Sequence, residues 1–535
     1  MTTLTGFLNV VLQGLGLAGF ATAVGGVAYA LLVLRPFETP SRLARAAVGR
    51  CLTLTAAGAL VLAAAQAVVL GLQPLALAGE DGSVPFRAFF STTFARAGLA
   101  RIALGILLAV TALMVRRKPD GRTGWWVVGS FALLIGASSA WLSHAMGRLE
   151  DRGILMALEV FHQMAAAVWV GGLIHLVAFS LLRREPGEEP LAAALVARFS
   201  PLALACVGGL VAGGITLSFF YVDSIEGLLG TGYGVMILTK VAVLAAALVL
   251  AWLNLLVARR ASRRGGVVPP GLWWFVEAEV GLGVTLLLAA ATLTSLPVAA
   301  DVREDRATLA EVGARFVPKV PTFSTPRIGD LLAAAAPITD TLAERKQPEY
   351  QWSEFNHHVA GLFVFVMGLL ALVELGGGGR WARHWPLLFL GLAAFLFVRN
   401  DPRAWPLGPA GFWETMLLPD VLQHRLAVAL IVAVALFEWA VRTGRLRARG
   451  WAYVFPLLCA SAGALLITHS HALFNLKAEF LTEVTHAPLG VLGVFAGWAR
   501  WLELRLPAPD NGMPGRIWAV AFVLVGMLLL FYREG

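Results

Sequence analysis

Eight of the ten histidines in this 535-residue chain are expected near one face of a membrane: His144, His162, His357, His358, His424, His469, His471 and His486. Imidazole is the commonest metal-ligating side chain. An ionisable group held among membrane helices marks function by default. The collection therefore reads as a metal site or a metal entry path. Met146 follows His144 in Ser143-His144-Ala145-Met146, and Met164 follows His162 in His162-Gln163-Met164. Thioether favours Cu(I), and imidazole suits copper in either oxidation state, so copper as Cu(I) or Cu(II) is the expected metal. His175 lies about 16 Å beyond Met164 on nearly the same helical face, which suits successive stations rather than one site. The competing reading is that these histidines hydrogen-bond across helices while the methionines fill gaps.

A second set carries carboxylates. Glu354 precedes His357 and His358, Asp420 precedes His424, and Glu479 and Glu483 precede His486. Positions three or four apart share a helix face. Each set thus places an acid beside an imidazole, either as a ligand or as a group that orients one. His469-Ser470-His471 offers two more nitrogens from one short segment. A polar cap facing lipid headgroups is the plain alternative, but it gives no reason for the acid–histidine spacing to recur on three helices.

The elements that must position these groups follow from composition. The chain is 58% hydrophobic and only 14% charged, against about a quarter charged in soluble proteins. Apolar runs of about 20 residues, long enough to cross a bilayer, recur along its length. The expected fold is all-α, a polytopic integral membrane bundle of about fourteen transmembrane helices. Arginines mark alternate loops, among them Arg42/Arg45, Arg116/Arg117, Arg259/Arg260, Arg442/Arg445 and Arg500/Arg505. The positive-inside rule places those loops in the cytoplasm and both termini outside it. The net charge of +9 is thus a topology signal and not a nucleic-acid surface. The expected divisions are an eight-span domain at 1–298, an extracytoplasmic linker at 299–352 with a short helix near 328–335, and a six-span domain at 353–535. Cys51, Cys206 and Cys459 form no CxxC pair and read as small buried hydrophobes. The Walker A pattern is absent, which argues against ATP-driven pumping. The N-terminus lacks the basic region of a signal peptide and reads as a membrane helix.

Several motifs occur in order: Ser143-His144-Ala145, His162 followed by AAAVWVGGL, Arg198-Phe199-Ser200, and Thr231-x-Tyr233-Gly234 with Lys240 and Asn254. Together they resemble the CopD family of copper resistance proteins, most clearly over residues 140–260. The resemblance implies a multi-pass protein of the bacterial inner (plasma) membrane, moving copper from the periplasm inward for uptake or resistance. It also implies a separate periplasmic copper carrier of the CopC type as a partner, alongside the lipid bilayer. The six-span part carries no comparable resemblance. A transporter or copper-handling protein is expected rather than an enzyme. The alternative is a haem- or metal-containing membrane redox protein. His162 and His175 have a spacing close to that of di-haem b cytochromes, but only His384 lies at the inner depth elsewhere, so the haem b pattern is incomplete.

Overall fold

The computed structural model describes residues 2–35, 41–77, 84–182, 189–263, 269–334, 346–416, 419–468 and 476–534. Among them there are helices and turns, one isolated bridge between Ala404 and Ala410, and no β-strand. Among the described residues fourteen helical segments are long and apolar enough to cross a membrane, as the apolar runs predict. The chain is an all-α, multi-pass membrane protein. His469 and His471 lie outside the described residues, as do the side chains of Asp420 and Glu479.

The first eight of these helices are α1 (Thr2–Tyr29, extended by a π turn at Ala30–Leu34), α2 (Arg42–Ala76), α3 (Thr93–Arg117), α4 (Arg122–Ser138), α5 (Arg152–Ser180), α6 (Glu189–Tyr221), α7 (Gly232–Arg263) and α8 (Pro270–Ser295). The remaining six are α9 (Gln347–Leu375), α10 (Leu388–Arg399), α11 (Pro419–Arg442), α12 (Val454–Thr468), α13 (His486–Arg505) and α14 (Gly512–Leu530). Two compact units result: residues 1–223 with 240–300, and residues 224–239 with 301–535.

In the first unit α1 packs against α2, α5 and α8. The α1–α5 contact is set by glycine. A Cβ on Gly171 would collide with the Ala21 carbonyl oxygen, and one on Gly25 with the Ala167 carbonyl oxygen. Helices in lipid gain little from burying apolar surface, so they associate through such close backbone approach. Large apolar side chains point outward instead, Leu204 and Phe219 among them, as hydrocarbon surroundings allow.

The second unit has an aromatic core of Trp385, Phe455 and Trp518, with Phe389 and Phe522 against it. Beside this core lies a charged network. Arg442 bonds Glu374 and, at 2.7 Å, Glu438; Arg500 reaches Glu438 at 3.5 Å and Glu503 at 2.7 Å. The Trp385 indole donates to Glu374 at 3.1 Å, and the Trp518 indole donates to Glu503. Arg442 and Arg500 were expected as loop charges. Both are buried, because carboxylates from α9, α11 and α13 meet them at the same level. Burial of such ions is tolerable only with partners in place.

Two short helices, Leu309–Arg315 and Ile328–Ala334, occupy the segment before α9, the latter where the sequence predicts one. The first is opened by a capping box of Thr308 and Glu311. Glu311 also pairs with Lys477 at 2.9 Å. The expected span at 479–499 corresponds to the candidate span Phe480–Arg505, which contains a turn: a helix at Leu476–Glu483 ends there, and α13 starts at His486. Pro488 has no N–H for the carbonyl four residues back, which favours interruption there.

Substituting Gly171 with valine is expected to destabilise the first unit by roughly 1–3 kcal/mol through overpacking, read as a lower thermal midpoint in detergent. The Lys477 ammonium, followed by the Thr308 bonds, holds the Glu311 carboxyl down at about 2. Its contribution is fully present above the unfolded value of about 4.3 and is lost as pH falls through about 2. Glu311→Gln keeps the capping geometry and removes the charge. The wild type's advantage in midpoint over this variant should be small, at most about 1 kcal/mol for so exposed a pair. It should vanish over that acid window; an advantage that persists at the acid end would refute the assignment.

Candidate metal-handling sites

All five N-terminal candidates, His144, Met146, His162, Met164 and His175, sit on α5 and the turns before it. The chain leaves α4 through two 3-10 turns, Ser139–Leu142 and His144–Gly147, so His144 and Met146 lie on a tight turn and not on a helix. His144 Nε2 is 3.3 Å from the Leu293 carbonyl oxygen at the end of α8. Its ring meets that of Tyr221 edge-on at 6.5 Å. Tyr221 also carries Arg148 over its face and directs its hydroxyl to Glu159 at 3.4 Å. Gln163 reaches the other Glu159 oxygen at 3.4 Å.

His162 and Met164 share a depth but not a direction. Two residues along a helix is a rotation of about 200°. The His162 ring lies against Gly213 and Gly214 of α6, whereas the Met164 sulfur packs on Gly136 of α4. Lys240 of α7 lies close enough to both His162 and Glu159 to act on them electrostatically. Glu159 and Tyr221 therefore belong to this polar group although neither was singled out beforehand. The signal was available for Glu159, which stands three residues before His162.

His175 is buried inside the first unit. Its Nε2 lies 2.9 Å from the Thr22 carbonyl oxygen. A carbonyl only accepts, so Nε2 carries the proton and Nδ1 is the lone-pair nitrogen. That Nδ1 is buried without a hydrogen-bond partner in the structure. Tyr29 stacks on the ring at 6.0 Å, and the Cys51 thiol donates to the Gly26 carbonyl at 3.4 Å nearby.

In the second unit the acid–histidine sets separate into different roles. Glu354 and His358 hold backbone. Glu354 accepts from Lys319 at 2.5 Å and from the Glu534 amide at 3.1 Å. His358 accepts the Thr322 amide on Nδ1 at 3.0 Å, and its Nε2 donates to the Tyr532 carbonyl at 3.0 Å. His357 turns elsewhere. Its Nδ1 donates to the Ser353 carbonyl at 2.8 Å, which makes Nε2 the lone-pair nitrogen. Its ring stacks on Tyr532 at 4.0 Å and lies 5.9 Å from the ring of His486. The structure thus brings His357 and His486 together, with Tyr532 stacked on His357 and its ring 6.2 Å from that of His486. Tyr532 had no spacing signal, because it arrives from the far end of α14. Glu483 ends the short helix before the turn, so its expected helical register with His486 is interrupted. His424 is exposed on α11. Among the described residues no three His, Cys, Asp or Glu side chains are grouped to hold a metal ion.

His358→Ala would strand the Tyr532 carbonyl and the Thr322 amide. About 1–3 kcal/mol per stranded buried group is expected, measured as a loss of thermal stability; an unchanged midpoint would contradict the pinning role.

Comparison with known proteins finds relatives of part of the chain. Residues 193–293 match the family model "CopD: Copper resistance protein D". That stretch holds Arg198-Phe199-Ser200, Tyr233, Lys240 and Asn254. The copper transport protein CutJ of Bacillus subtilis (strain 168) is 30% identical over 238 residues, which is 43% of this chain and 42% of that protein. The match thus spans less than half the length of that curated relative. No solved structure matches the chain. Residues 193–293 are thus similar to the CopD copper resistance proteins.

Proposed function

We propose that this protein handles copper at a bacterial inner membrane, capturing it on the periplasmic face and contributing to copper uptake or resistance. The observation that carries the reading is the CopD match over 193–293, within a multi-pass helical protein. The named activity of CutJ supports the same chemistry. The distribution of loop arginines supports a cytoplasmic side at those loops and both termini outside.

On this reading copper enters near His144, Met146 and His162, where Glu159 and Tyr221 supply an anionic, polar surround. The Nδ1 of His175 is an interior station. Its Nε2–H bond to a backbone carbonyl has the arrangement that fixes the tautomer of metal-binding histidines. Met164 lines the same depth from the α4 side. In the second unit His357 and His486 form the best-placed pair of imidazoles, with His424, Asp420, His469, His471, Glu479 and Glu483 as further outer-face ligands. Glu354 and His358 orient that end of the unit. A separate periplasmic carrier of the CopC type would deliver the metal.

Metal analysis of the purified chain, loaded with Cu(I) or Cu(II), tests the second-unit site. Alanine at His357 or His486 is expected to lower the copper-to-protein ratio, with a smaller effect at His424. An unchanged ratio in all three variants sinks that site. Alanine at His144 or His162 is expected to slow copper uptake in cells without lowering the amount of protein in the membrane. Wild-type uptake in both variants would remove the entry route.

A further inference from the structure

Glu279 is a carboxyl group in the interior of α8. It lies nine residues from Pro270, or about 14 Å along the axis, and is 4% exposed. Its two oxygens meet two neutral donors on two other helices. Trp169 Nε1 of α5 donates to Oε1 at 3.2 Å, and Asn254 Nδ2 of α7 donates to Oε2 at 3.0 Å. The ionisable groups on the surrounding helices are Tyr29 of α1, Arg152, Glu159, His162 and His175 of α5, Tyr233, Lys240, Arg259, Arg260 and Arg263 of α7, and Glu277 of α8. Among the described side chains none of them is a hydrogen-bond or ion-pair partner of Glu279. The contrast with the second unit is direct: Glu438, equally buried, lies between two guanidiniums.

An ionised carboxylate in a low-dielectric interior costs several kcal/mol when no opposite charge is beside it, and it relieves that cost by taking up a proton. The partners suit both protonation states. As placed, the Asn254 amide nitrogen donates to a carboxylate. Its oxygen, Oδ1, is buried with no hydrogen-bond partner. Rotating the amide by half a turn presents Oδ1 to the hydroxyl of the protonated acid. A lysine or arginine could serve only the ionised form; an amide serves either. Trp169 keeps donating to Oε1 throughout, so the carboxyl stays oriented as the proton comes and goes.

We infer that Glu279, with Asn254 and Trp169, is an exchangeable proton-binding site inside the first unit, and that its loading is coupled to metal movement through that unit. Trp169 stands six residues before His175 on α5, so one helix carries both the proton site's donor and the proposed interior copper station. The coupling rests on the copper reading above; the proton site does not.

Infrared spectroscopy of the full chain in lipid nanodiscs separates the two. Near neutral pH the wild type is expected to show a protonated-carboxyl C=O band that Glu279→Gln removes and alkaline pH abolishes. Asn254→Leu should keep the band but move it to higher frequency, because the carboxyl loses a hydrogen bond. Identical spectra for wild type and Glu279→Gln in that region would overturn the proton site. In proteoliposomes carrying an internal copper chelator, an imposed pH gradient is expected to change wild-type copper uptake several-fold and to leave Glu279→Gln unaffected. An equal response in the variant overturns the coupling. If the wild type moves no copper at all, the copper reading and the coupling fall together, while the infrared band still decides the proton site.

Discussion

A charge inside hydrocarbon must be paired or neutralised, and the interior of this protein is arranged around that constraint. In the second unit the answer is pairing. Glu438 lies between Arg442 and Arg500, those arginines reach outward to Glu374 and Glu503, and two indoles donate to the same Oε2 atoms of Glu374 and Glu503 that the arginines hold. The network ties the ends of α9, α11 and α13 together beside the Trp385–Trp518 core. In the first unit the answer at Glu279 is different, because among the described residues its hydrogen-bond partners are an indole and an amide.

The same constraint sorts the histidines. A buried imidazole needs both nitrogens accounted for, and backbone carbonyls at helix ends or glycine contacts are the commonest acceptors available here. His358 uses both nitrogens on backbone and so pins the segment at Thr322 and the C-terminal tail at Tyr532 onto α9. His175 and His357 each commit one nitrogen to a carbonyl, and the other nitrogen of His175 is a buried lone pair without a hydrogen-bond partner. Identical side chains thus diverge into fasteners and ligand candidates according to how many acceptors reach them.

Part of the candidate site was legible because depth is legible. Counting residues into each apolar run puts His144 and His162 at one level, and His357 and His486 at one level. Direction was harder to read. His162 and Met164 are neighbours in sequence yet face α6 and α4 respectively. Glu354, His357 and His358 fall within one turn of α9, yet bond a lysine, a tyrosine ring and two backbone groups. Helical spacing states which residues share a face; it does not state what the neighbouring helix brings to that face. Arg442 and Arg500 show the same limit from the other side, since a terminal arginine looks alike whether it meets water or two carboxylates.

The sequence by itself determined the all-α class, the fourteen crossings, the short helix before α9 and the CopD likeness. Each depends only on local hydropathy, helix length or motif order along the chain. Tertiary structure alone decided that Tyr532 completes the His357–His486 group, that Glu159 and Tyr221 join His144, and that Glu279 faces neutral donors. Those contacts join residues tens to hundreds of positions apart. They are set by which helices can approach closely, through pairs such as Gly25 and Gly171, and no periodicity along one helix encodes that choice.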